Sequence, residues 1–83
     1  MSTEILWANR NLAVLARLYH LHNIQPLWDP QGEGQYRVTL RSGDRSGSVV
    51  LDRSELMAAW KGSETHQATI IRSLSQFVRA LID

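Results

Sequence analysis

The stretch QYRVTLRSGDRSGSVVLD, residues 35–52, decides the fold of this chain. Each half contains a short apolar run, Tyr36 to Leu40 and Ser48 to Leu51, and Gly43 and Asp44 between them have the pattern of a two-residue hairpin turn. With glycine at the first turn position, as a type II′ turn requires, the register of the hairpin follows. The predicted cross-strand pairs are Tyr36 with Leu51, Val38 with Val49, and Thr39 with Ser48. Apolar side chains therefore meet apolar ones and polar meet polar, which supports this register.

Side chains alternate between the two faces of a strand, so the register assigns every hairpin residue to a face. The predicted core face carries Tyr36, Val38, Leu40, Val49 and Leu51. The opposite face carries Arg37, Thr39 and Arg41, with Arg45 beside the turn. We therefore expect this sheet to be buried on one face and solvated on the other.

Upstream of the hairpin, apolar residues recur at helical spacing over residues 3–22. They cover an unusually broad arc, which suggests burial from more than one side, by the sheet together with another helix or with a partner chain. Asn23 is the expected cap because asparagine tolerates the left-handed conformation that ends many helices. The segment 25–29 predicts a first strand, and Pro26, which cannot donate a ladder hydrogen bond, implies that it lies at an edge of the sheet or is very short.

Downstream of the hairpin, Asp52 precedes Glu55 by the spacing of a capping box, which predicts a helix over residues 53–61. Gly62 ends that helix. Ser63 then caps a last helix over residues 64–82, with Glu64 in the first turn, where the helix dipole favours negative charge.

These elements predict a single α+β domain over residues 1–83, in the order α-β-β-β-α-α. Its antiparallel sheet has strands at about 25–29, 35–41 and 46–52, and helices 3–22, 53–61 and 64–82 pack on one face. From roughly residue 5 to 80 this order resembles that of the double-stranded RNA-binding domain. In that family, lysines that open the second helix bind phosphates, and the corresponding segments of this chain read SELMAAWKG and SETHQATIIR. The family's Gly-Pro-x-His loop is also missing, and the nearest segment here is DPQGEG. The resemblance therefore implies topology and no function.

The composition of the chain indicates its structural class and its cellular compartment. The chain of 83 residues has a net charge of +1, no cysteine, and 43% hydrophobic residues, as in an ordinary globular domain. The lack of cysteine favours a reducing cytoplasm, and no apolar run predicts a membrane span or a signal peptide. All basic residues except Lys61 are arginines, whose planar fork suits carboxylate and phosphate.

Catalytic patterns are not evident in the sequence. His20 and His22 are two residues apart, which places them on opposite sides of a helix, so they cannot share a metal ion there. His66 has no carboxylate at a ligand spacing. The serines lie in predicted turns, caps or polar helical faces, and Asp44, Asp52 and Glu55 have turn or capping positions. We therefore predict no catalytic residue, no metal site, no cofactor and no enzymatic activity.

Binding residues can still be proposed on the arginine-bearing face. Arg37, Arg41 and Arg45, with Thr39 between the first two, could meet an acidic protein surface, follow a nucleic-acid backbone, or only remain solvated. Trp28, next to prolines in the edge segment, is the tryptophan expected to be exposed and available to a partner.

The sequence thus favours a non-catalytic protein-binding module that acts as an inhibitor or adaptor. In size and format it is similar to small inhibitors of phages and mobile elements, including anti-CRISPR proteins. Nucleic-acid binding through the sheet arginines is the first alternative. A homo-oligomeric structural protein, dimeric through the first helix, is the second.

Overall fold

A computed structural model describes residues 2–21 and 23–82 and contains the predicted elements in the predicted order. The helices are α1 (Thr3–Leu18), α2 (Arg53–Trp60) and α3 (Glu64–Ile82). The strands are β1 (Gln25–Pro30), β2 (Gln35–Ser42) and β3 (Arg45–Asp52), which form an antiparallel sheet in the order β1-β2-β3. The α+β prediction is confirmed.

The register of the β2–β3 hairpin agrees with the sequence. Tyr36 pairs with Leu51, Val38 with Val49, and Thr39 with Ser48. At the turn, Gly43 has a φ of 65°, as the first position of a type II′ turn requires, and only glycine adopts this conformation without steric cost. β2 pairs with both β1 and β3 and is therefore the central strand. β1, which contains Pro26, lies at an edge as predicted.

The core lies between the helix-facing side of the sheet and the three helices. Val38 and Leu40 of the central strand are fully buried, and each helix adds a fully buried leucine to the same cluster, namely Leu12, Leu56 and Leu74. Burying a side chain of this size contributes about 1.5–3 kcal/mol. The alternation of β2 therefore fixes which side of the sheet the helices cover.

The first helix ends earlier than predicted. α1 stops at Leu18, and His20, not Asn23, occupies the left-handed conformation directly after it, with a φ of 59°. The N–H groups of His20 and Leu21 donate to the carbonyl oxygens of Arg17 and Ala16, which is the Schellman pattern of helix termination. Asn23 also has a positive φ of 57°, but it lies in the connection to β1.

The two downstream helices begin at the predicted capping residues, Asp52 and Ser63, and Asp52 bonds a different residue from the one predicted. Asp52 accepts hydrogen bonds from the backbone N–H and the hydroxyl of Ser54, at 3.1 and 3.0 Å, so the second helical residue takes the place predicted for Glu55. Ser63 Oγ lies 2.7 Å from His66 Nδ1 and accepts a 3.5 Å bond from the His66 backbone N–H. Both side chains satisfy donors that the start of a helix leaves unpaired.

Gly47 of β3 allows α3 to approach the sheet closely. A β-carbon at this position would lie 3.3 Å from Leu81 Cδ2 and 3.4 Å from Phe77 Cε1. Gly47 pairs with the buried Leu40 and therefore lies on the core face. The missing side chain leaves the space that the last turns of α3 fill.

We expect Gly47→Val to lower the free energy of unfolding by about 1–3 kcal/mol, because its branched side chain would overpack the Leu81 and Phe77 contact. Urea denaturation measures this change. The control Ser48→Val, one residue along on the solvent-facing side, should stay within about 0.5 kcal/mol of the wild type. Equal stability of the Gly47 and Ser48 variants would contradict the close approach of α3.

Candidate interaction surfaces

The side of the sheet that faces away from the helices forms a surface that we call the open sheet face. Pairing in both ladders brings residues of all three strands onto it. Its members are Gln25, Leu27 and Asp29 of β1, Arg37, Thr39 and Arg41 of β2, and Ser46, Ser48 and Val50 of β3. All are exposed except Thr39, which is half-buried at the centre.

Cross-strand pairing gives the two arginines different surroundings. Arg37 pairs with Asp29 on one side and Val50 on the other, so one of its cross-strand neighbours has the opposite charge. Arg41 pairs with Gln25 and Ser46, which are uncharged. Positive charge on the open sheet face is therefore concentrated at the Arg41 end.

Aliphatic side chains lie between the charged positions. Leu27 is 59% exposed and Val50 is 45% exposed, on opposite sides of the central strand. Leu27 and Arg41 also line a shallow depression of about 340 Å³, together with Gln25, Pro26 and Thr39. The open sheet face thus combines aliphatic side chains on its two outer strands with positive charge at the Arg41 end.

Arg45, the third arginine predicted for this site, makes an intramolecular contact. Its Nη1 donates to the carbonyl oxygens of Leu81 and Ile82, at 2.8 and 2.6 Å. The last carbonyls of a helix lack partners within the helix, and the dipole favours a cation there, so Arg45 caps the carboxyl end of α3. The partners are 36 and 37 residues apart, and no local sequence pattern could have indicated the contact.

The prediction that Trp28 is the exposed tryptophan is wrong. Trp28 is half-buried on the helix-facing side, where its Nε1 donates to Asn9 Oδ1 at 2.7 Å. Its ring meets the Tyr36 ring edge to face, with centroids 6.1 Å apart. Trp60 at the end of α2 is 40% exposed instead. The pairing of Trp28 with Val38 explains the placement, because directly paired residues share a face.

Glu4 is a buried charged residue that no sequence pattern had indicated. It is only 3% exposed, in the first turn of α1, and accepts a 3.4 Å hydrogen bond from the Tyr36 hydroxyl. The positive end of the helix dipole favours a carboxylate at this position. Glu4 and Asn9 together hold α1 against the aromatic side chains of the sheet.

The remaining candidates for chemistry are dispersed. His20 is the helix-ending residue of α1, His66 belongs to the Ser63 cap, and His22 lies outside the described residues. Over residues 2–21 and 23–82, no group of three or more histidine, aspartate or glutamate side chains could hold a metal ion. The described helices are also too short or too polar to cross a membrane.

Comparison of the chain with protein-family models, with curated proteins and with solved structures gives no match.

We expect Arg45→Met to lower the free energy of unfolding by about 1 kcal/mol, because the variant keeps the aliphatic stem and loses the bonds to the end of α3. The matched variant Arg41→Met should change stability by less than about 0.5 kcal/mol. Urea denaturation of both variants measures the difference. An unchanged stability of Arg45→Met would mean that the cap does not contribute.

Proposed function

We propose that this protein is a non-catalytic protein-binding module that engages its partner through the open sheet face. The observation that carries the proposal is the combination on one exposed sheet of Arg37 and Arg41 with the aliphatic Leu27 and Val50. Arginine is enriched among the residues that dominate binding energy at protein interfaces, and apolar contacts surrounded by polar groups are typical of them. Thr39 at the centre can add a hydroxyl hydrogen bond.

The same surface fits a nucleic acid less well. Asp29 lies beside Arg37 on the open sheet face, and its carboxylate opposes the approach of a phosphate. The described residues of this face include no aromatic ring, although proteins that bind single strands generally stack bases on such rings. Two arginines also offer few phosphate contacts, and phosphate neutralisation supplies most of the affinity of non-specific binding.

The expected partner surface is therefore apolar with an acidic edge. A carboxylate opposite Arg41 would receive a bidentate hydrogen bond from the guanidinium. Aliphatic or aromatic side chains of the partner would cover Leu27 and Val50, which are otherwise in contact with water. Because Asp29 partly offsets Arg37, the contribution of Arg41 should be the larger.

We further propose that the module acts in the cytoplasm as an inhibitor or adaptor of another protein. The cysteine-free sequence fits a reducing compartment. Binding by an exposed sheet needs no reactive group, which suits a protein that occludes or bridges a partner. Its format is similar to that of inhibitors encoded by phages and mobile elements.

Charge reversal on the open sheet face tests the proposal. In an affinity pull-down from the native host, the wild type should recover a stoichiometric partner that Arg37→Glu with Arg41→Glu loses, because both guanidiniums would be replaced by carboxylates. The matched control is Arg72→Glu with Arg79→Glu, which reverses two exposed arginines of α3 and should retain the partner. Thermal unfolding should show that both double variants remain folded.

Retention of the partner by the sheet variant would contradict the proposed interface. A gel-shift assay at low salt tests the nucleic-acid alternative, which predicts a complex that weakens steeply as salt rises. A complex of that kind, lost in the sheet variant, would assign the open sheet face to nucleic acid instead.

A further inference from the structure

The solvent-facing side of α1 is unusually apolar for an exposed helix. Residues 6, 10, 13, 14, 17 and 18 are all exposed, while Ile5, Ala8, Leu12 and Ala16 on the opposite side are buried. Leu6, Val14 and Leu18 are 43%, 57% and 67% exposed. We call Leu6, Arg10, Val14, Arg17 and Leu18 the outer face of α1. Their spacing places them on one stripe, in which Val14 and Leu18 are neighbours and Arg10 lies between Leu6 and Val14.

A tryptophan-lined groove adjoins the amino-terminal half of this stripe. Trp60 of α2 and Trp7 of α1 line it with Thr3, Leu6 and Arg10, around a volume of about 140 Å³. This is several times the roughly 30 Å³ that one water occupies in the liquid, so the groove can admit the end of an apolar side chain. Arg10 at its edge can pair with a carboxylate next to that side chain in sequence.

The charge of the outer face of α1 indicates what can cover it. The charged members of this face are Arg10 and Arg17. The acidic residue of α1, Glu4, is buried with 3% of its surface exposed and does not belong to this face. The outer face of α1 in a second copy of this chain carries the same two arginines and no carboxylate, so it offers Arg10 and Arg17 no opposite charge. The complementary occupant is apolar and negatively charged.

We propose that the outer face of α1 and the groove between Trp7 and Trp60 form a docking site for an acidic amphipathic helix of a partner protein. The apolar side of such a helix would lie along Leu6, Val14 and Leu18, with one side chain in the groove. Its carboxylates would pair with Arg17 and with Arg10, which lies between Leu6 and Val14 at the edge of the groove. The stripe extends over more than three turns of α1, from residue 6 to residue 18, which suits a helical ligand of similar length.

This site is separate from the open sheet face and does not depend on it. The open sheet face lies on the side of the sheet away from the helices, and the outer face of α1 lies opposite to the buried side of that helix. The two surfaces share no residue. A protein with two separate binding surfaces can bridge two partners, so this site favours an adaptor over a simple inhibitor.

A synthetic peptide tests the proposal directly. The probe is a helix of about 18 residues with leucine along one face and glutamate along the other, and its charge-swapped control carries lysine in place of glutamate. Titration against the full chain, followed by tryptophan fluorescence, should show saturable binding of the acidic peptide because Trp60 becomes covered. Arg10→Glu with Arg17→Glu should weaken this binding by at least about tenfold.

Variants at two other positions test whether the peptide binds at this site. Arg37→Glu with Arg41→Glu, on the open sheet face, should bind the acidic peptide as the wild type does. Trp60→Ala should weaken binding and Trp60→Phe should largely preserve it, because phenylalanine still lines the groove. Both variants lack the Trp60 signal, so isothermal titration calorimetry measures their affinity and that of the wild type. The proposal would be overturned if the acidic and basic peptides bound equally or if neither showed saturable binding. It would also be overturned if the Arg10 and Arg17 double variant bound the acidic peptide as tightly as the wild type does. The peptide titration does not depend on the pull-down, so failure of the proposed sheet interface would leave the docking site on α1 unaffected.

Discussion

The two-residue turn at Gly43 and Asp44 is the constraint on which the rest of the structure depends. It fixes the pairing of β2 with β3, and a shift of one residue would exchange the two faces of a strand. With this register, Val38 and Leu40 lie together on the side that all three helices cover. The same register exposes Arg37 and Arg41 on the other side. Core and candidate binding surface therefore have one common origin.

The positions of α1 and α3 depend on further contacts that these helices make with residues of the sheet. Gly47 leaves room for α3, and Arg45 then reaches the carbonyl groups at the end of that helix. α1 is held through Trp28 and Tyr36, which bond to Asn9 and Glu4. Because the helices occupy one side, the domain presents two unlike exterior surfaces, an arginine-bearing sheet and an apolar helix stripe.

Several residue roles could be predicted because they depend on local rules. The turn at Gly43, the edge position forced by Pro26 and the caps at Asp52 and Ser63 follow from backbone geometry within a few residues. The end of α1 could not be placed because His20 adopts the left-handed conformation, which is uncommon for residues other than glycine, and ends the helix before Asn23.

The sequence by itself determined the order of the elements, the hairpin register and the exposed position of Arg37 and Arg41, because period-two alternation and turn chemistry act over short distances. Only the tertiary structure decided that Arg45 caps α3, that Trp28 turns inward while Trp60 remains exposed, and that Glu4 is buried. These outcomes depend on how distant segments meet. Packing of that kind joins residues whose separation along the chain carries no periodic signal.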